Sequence, residues 1–130
     1  MPIRPERARA LLPRVDPARL WGGWPVGLRD GAVLALLGAG LSAEEVLALR
    51  ATAVTSHRDK LWVKLRRHGI YWFVVLPPDL GGYLLVWLSD RGLWGSPELL
   101  FAGPEGPLTP TGIYMILSRH APSKKERKSC

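Results

Sequence analysis

An α+β domain, mainly helical, with helices set around one small antiparallel β-hairpin, is the fold class this sequence predicts. The stretch Arg29 to Val54, RDGAVLALLGAGLSAEEVLALRATAV, reads as two apolar helices on either side of a Gly-Ala-Gly break. Two β-like runs, Leu61–Arg67 and Ile70–Leu76, face each other across His68-Gly69. The chain has 130 residues, 47% apolar and 22% charged, which suits one domain with a core that needs neither disulfides nor metal.

Residues 1–28 form a basic lead-in punctuated by Pro2, Pro5, Pro13, Pro17 and Pro25, with a short helix over Pro5–Leu12. Trp21 and Trp24 flank Gly22-Gly23 and are expected to lie against the body of the domain. From Arg29, the residues Val33, Leu34, Leu36 and Leu37 read as a buried helix, or a buried strand, ended by Gly38 and Gly40. Ser42-Ala43-Glu44-Glu45 then has the pattern of a capping box, in which the serine hydroxyl takes the third backbone N–H and Glu45 reaches back. The helix it opens runs to about Arg50 and buries Val46, Leu47 and Leu49.

A tight turn at His68-Gly69 fixes a hairpin register in which cross-strand partners sum to 137 in residue number. Leu61, Val63, Leu65, Ile70, Trp72, Val74 and Leu76 then share the core face. On the other face Lys64 lies opposite Phe73, Arg66 opposite Tyr71 and Trp62 opposite Val75. Pro77-Pro78 stops the sheet, and Asp79 caps a helix carrying Leu80, Tyr83, Leu84, Trp87 and Leu88 to its end at Gly92. Leu99-Leu100-Phe101 is a short extended piece. Thr109 caps a last helix, with Pro110 in its first turn and Ile113, Tyr114, Ile116 and Leu117 inward. The segment 122–130 reads as a basic, disordered tail.

The net charge of +7 sits at the two ends. Residues 1–19 hold five arginines against Glu6 and Asp16, and residues 119–128 hold five cations against Glu126. The middle has as many acids as bases. Basic ends attract polyanions, nucleic acid above all, and also serve simply as solvated tails. The one cysteine, Cys130, leaves no disulfide framework or CxxC metal site, which suits a cytoplasmic location. Asp30 and Glu44-Glu45 bracket the longest apolar run, so no membrane span is expected, and the N-terminus lacks an apolar signal core.

His57, His68 and His120 are scattered without metal-ligand spacing, and neither a P-loop nor a Gly-x-Ser-x-Gly elbow occurs. Neither a metal nor a cofactor is expected. One remote alternative is a dinucleotide-binding fragment: GAGLSA, Gly38 to Ala43, fits a Gly-x-Gly-x-x-Ala fingerprint, with Asp59 about 20 residues on. Against it, a parallel strand ending in the acid is required, whereas Asp59 precedes a run that folds back on itself. The basic and aromatic hairpin face has two readings. Lys64, Arg66 and Arg67 meet phosphates with Tyr71 and Phe73 bracing their stems, or the cations merely snorkel over a second apolar layer.

From about Arg29 to Ala121 the chain resembles the catalytic domain of the tyrosine recombinases (phage integrases), over roughly the first half of such a domain. The matching pieces are LRDGAVLALLGAGLSAEEVLALR, the hairpin with VVLPPDL, LLVWLSDRGLWGSPELLF and GPLTPTGIYMILSRHA. The resemblance implies a recombinase catalytic-domain-like fold whose small sheet grips duplex DNA. It also implies cleavage by a tyrosine assisted by two arginines, a lysine and histidines. The first arginine of the family follows Gly-Leu, where this chain has Ser42, and Glu45 matches the glutamate after it. The lysine lies near the hairpin turn, where Arg66 and Arg67 stand, with Lys64 further back. SKKERKSC stands where the family's His-x-x-Arg motif would follow, and the segment of the nucleophilic tyrosine is missing.

The expectation is a catalytically inactive, truncated recombinase-like domain over 29–121 that binds double-stranded DNA non-specifically. Its contacts would come from Lys64, Arg66 and Arg67 in the hairpin and Lys124, Lys125, Arg127 and Lys128 in the tail. The alternative is a protein-interaction module, a homodimer or a partner of a full recombinase, docking through an apolar face left uncovered.

Overall fold

The computed structural model describes residues 3–103 and 106–121. Five helices and a three-stranded antiparallel sheet follow in the order α1 (Pro5–Leu11), α2 (Val26–Gly38), α3 (Ala43–Ala48), β1 (Val54–His57), β2 (Lys60–Arg67), β3 (Ile70–Leu76), α4 (Pro78–Asp90), a two-residue pair β4 (Ala102–Gly103) and β5 (Gly106–Pro107), and α5 (Pro110–His120). Short 3₁₀ turns at Leu12–Arg14 and Ala51–Ala53 follow α1 and precede β1. No helix among the described residues is long and apolar enough to cross a membrane.

Helix α2 is the core. Every residue from Asp30 to Gly38 is buried, because α1 and α4 pack against it, α3 and the turn after α1 lie alongside, and Arg119 and His120 of α5 close over Asp30. Val33, Leu34, Leu36 and Leu37 each contribute about 1.5–3 kcal/mol by leaving water. The α4 contact is close: a Cβ built on Gly31 would lie 2.9 Å from the Tyr83 ring, so only glycine lets the helices meet there. The helix stops through a Schellman motif, in which Leu41 N–H donates to the Leu36 carbonyl and Gly40 N–H to Leu37, with Gly40 at φ +102°. Leu41 drops into the core and α3 restarts under Ser42. Helix, not strand, is thus the outcome for this run, beginning three residues before Arg29.

GAGLSA therefore joins helix to helix. Asp59 sits in the turn between β1 and β2 at φ 62°, and those strands are antiparallel. Among the described residues no parallel strand follows the glycines, so the dinucleotide reading lacks its frame.

Several side chains lie elsewhere than expected. Trp21 is 64% exposed, because Trp21 and Trp24 exchange backbone hydrogen bonds of 2.9 Å across Gly22-Gly23 and only Trp24 packs inward. The N-cap of α4 is Pro77, without a side-chain cap bond, and Asp79 lies in the first turn. Helix α3 ends at Ala48, two residues short of Arg50. On α5 the buried positions are Ile113, Ile116, Leu117 and His120, and Tyr114 sits one step round the helix, 45% exposed. Strand β1 was not foreseen. Within α4, Leu80, Leu84, Trp87 and Leu88 are buried as the pattern requires, and Trp87 donates to the Leu100 carbonyl at 2.9 Å.

Candidate nucleic-acid interface

The hairpin forms in the register fixed by its turn. Leu61 pairs with Leu76 and Arg67 with Ile70, and His68 and Gly69 both take positive φ, 53° and 77°. Positive φ at both central residues matches the right-handed twist of the strands; glycine adopts it freely and histidine at modest strain. β1 adds to the other side of β2, pairing Val54 with Val63 and His57 with Lys60, which leaves β3 as an edge strand.

Alternation gives the sheet two unlike faces. Inward, Leu61, Val63, Leu65 and Leu76 are buried and Val74 partly so. Ile70 and Trp72, expected with them, are 61% and 53% exposed. α4 packs at the other end of the hairpin, where Gly81 nears Leu76 and Leu61, whereas at the turn end α3 meets Arg67 and leaves Ile70 and Trp72 more than half exposed. Outward stand Trp62, Lys64 and Arg66 of β2 with Tyr71, Phe73 and Val75 of β3. The Lys64 Nζ lies 4.3 Å from the Tyr71 ring centroid and the Arg66 guanidinium carbon 5.8 Å from it. The ring braces both cations without neutralising them, and neither pairs with a carboxylate among the described residues.

Arg67 has the opposite parity and a different partner. Its Nε donates to Glu45 Oε2 at 2.7 Å, and its Nη2 to Glu45 Oε1 at 2.9 Å and to the Gly40 carbonyl at 3.3 Å. Glu45 also accepts from the Ser42 backbone N–H at 2.8 Å, while Ser42 Oγ accepts from the Glu45 N–H at 3.1 Å, completing the capping box. The hydrogen bond from Arg67 holds the Glu45 carboxyl below its ordinary pKa; partial burial opposes this and the Ser42 N–H supports it. The same contact raises the Arg67 guanidinium. This pair walls a cavity of about 720 Å³ with Ile3, Ser42 and Tyr114. Lys64 and Arg66 thus share a face and Arg67 is turned from it; Lys124, Lys125, Arg127 and Lys128 lie outside the described residues.

A second polar cluster escaped the sequence reading, where Asp30 served only to bound an apolar run. Asp30 is fully buried. Its Oδ1 accepts from Arg29 at 3.1 Å and its Oδ2 lies 2.9 Å from both Arg119 Nη1 and His120 Nε2. An acid inside an apolar stretch is the signal that was present, since a buried carboxylate demands partners. The partners, almost a whole chain away, carried none. Among the described residues no group of three or more His, Cys, Asp or Glu side chains is placed to hold a metal ion.

This arrangement of helices around a three-stranded sheet is the tyrosine-recombinase-like fold. One solved structure it is similar to is the XerH site-specific recombinase bound to the difH substrate in a pre-cleavage complex, with a TM-score of 0.65 and 21% sequence identity. The similarity covers 90% of this chain and 34% of that one, so this chain spans about a third of that recombinase. No family model matches the sequence, and no curated protein does.

Proposed function

We propose that this chain binds double-stranded DNA non-specifically, in the cytoplasm, through the outer face of its sheet, and that it does not cleave what it binds. The observation that carries the reading is the pair Lys64 and Arg66, held over Tyr71 on an open sheet face with no carboxylate partner. The likeness to a recombinase whose structure is bound to the difH substrate supports it. Phosphate contacts of this kind position a protein without reading bases, so affinity is salt-sensitive and sequence-tolerant. The tail cations Lys124, Lys125, Arg127 and Lys128 add to the same attraction.

The way the turn after α2 is spent supports the lack of cleavage proposed here. Ser42 offers a hydroxyl already committed to the α3 cap, and a hydroxyl does not replace a guanidinium clamp on phosphate. The neighbouring guanidinium, Arg67, is neutralised by Glu45. Fluorescence anisotropy with a labelled random duplex, at low and near-physiological salt, tests the binding. Micromolar affinity that falls steeply with salt is expected. Lys64→Gln with Arg66→Gln should lower the slope of log K against log salt by about 1.8, at about 0.9 per phosphate contact. An absence of binding at low salt, or an unchanged slope, refutes the reading.

A second reading rests on Ile70 and Trp72, apolar residues of the core-facing side of the sheet left open at the turn end. That surface suits docking of a second copy or of a recombinase.

A further inference from the structure

We propose that the outer face of the β1–β2–β3 sheet is a stacking platform for unpaired bases, so that single-stranded DNA is held there more tightly than closed duplex. The inference rests on the nucleic-acid reading above and narrows its ligand. Tyr71 and Phe73, neighbours on the outward side of β3, are each 58% exposed, and Trp62 lies beside them on β2, partly buried. Two large rings set in water cost free energy that phosphate contact alone does not recover.

A duplex offers such rings little. Its bases are stacked on both sides, so it presents phosphates and groove edges, which engage Lys64 and Arg66 but leave the rings wet. An unpaired strand presents the faces of its bases, and every base has one. Spacing points the same way. Alternate residues of an antiparallel strand are about 6.8 Å apart, roughly twice the 3.4 Å rise per nucleotide in a stacked strand. Bases set on Tyr71 and Phe73 must therefore be pulled out of their own stack, which pairing forbids.

The cations complete the platform. Lys64 sits 4.3 Å from the Tyr71 ring and opposite Phe73, beside the path of a backbone that links bases on those two rings. No carboxylate occurs among the outward positions of the three strands, so nothing on this face repels a phosphate. The same three-part arrangement, an open antiparallel sheet with aromatic rings flanked by basic side chains, is a general solution for holding single strands.

Anisotropy titrations of the full chain with a labelled oligothymidylate and with a duplex of equal length decide the matter. The single strand should bind about tenfold tighter. Phe73→Ala should weaken single-strand binding about tenfold and leave duplex binding unchanged, and Tyr71→Ala should weaken single-strand binding about tenfold but duplex binding less, because its ring also braces Lys64 and Arg66, whereas Phe73→Trp should keep both. Lys64→Gln should weaken both ligands. Far-UV circular dichroism of each variant identifies any that unfold, and Tyr71→Thr or Phe73→Thr, which removes the ring but suits a strand, serves in place of one that does. Duplex binding with no preference for the strand, or alanine variants that bind the strand as before, overturns the stacking inference and leaves the duplex reading standing. Failure to bind either ligand overturns both.

Discussion

Glu45 closes two circuits at once: it completes the cap of α3 with Ser42 and holds Arg67, 22 residues on, in a two-pronged ion pair. The first circuit is local and could be read from Ser-x-x-Glu alone; the second could not, because it depends on the hairpin folding back over α3. The same division applies to Asp30, whose neighbour Arg29 is adjacent but whose other partners are not. Because its pKa is lowered on folding, Glu45 contributes stability that is complete above the ordinary glutamate value of about 4.3 and is lost as the pH falls through the depressed folded value. Glu45→Gln keeps the capping hydrogen bonds and removes the charge. Its thermal midpoint should fall below that of the unaltered chain at neutral pH by the equivalent of at most about 1 kcal/mol, since Arg67 is partly solvated, and the two curves should converge in acid. A gap that persists at low pH would count against the ion pair.

Caps separate the helices by how they are started. Ser42 on α3 and Thr109 on α5 each accept a backbone N–H, from Glu45 and from Gly112, whereas α4 begins at Pro77 with no such bond. Thr109→Ala and Ser42→Ala should each cost about 1 kcal/mol in chemical denaturation, and Asp79→Ala only a few tenths, from its charge near the helix start. An Asp79 loss equal to that of Thr109 would show that Asp79 caps after all. The hairpin register was readable because apolar residues alternate on both sides of a turn containing glycine. β1 was not, because VTSH has one buried residue and its turn is built from Arg58 and Asp59, both at positive φ without glycine or asparagine. That strand is specified by the edge of β2 more than by its own residues.

Across the molecule, the core was predictable wherever apolar periodicity is long, as in α2 and α4, and mispredicted where cover was assumed. Trp21, Ile70 and Trp72 were placed inside because they are large and apolar; each stays more than half exposed. If the turn end of the hairpin is a docking surface, sedimentation velocity should show a dimer at high concentration that Trp72→Lys returns to monomer. A monomer throughout would refute self-association.

The cluster around Asp30 bears on the order in which the molecule assembles. Its bonds to Arg119 and His120 join residues 89 and 90 positions apart and fasten the second turn of α2 to the last turn of α5. Closing so long a loop costs entropy before any contact rewards it. The α2–α4 packing and the hairpin, which span shorter separations, are available first. The acid is therefore a clasp that shuts late, and interactions absent from the folding transition state govern how fast a protein opens more than how fast it forms. Asp30→Asn should therefore speed unfolding, followed by stopped-flow fluorescence, far more than it slows refolding.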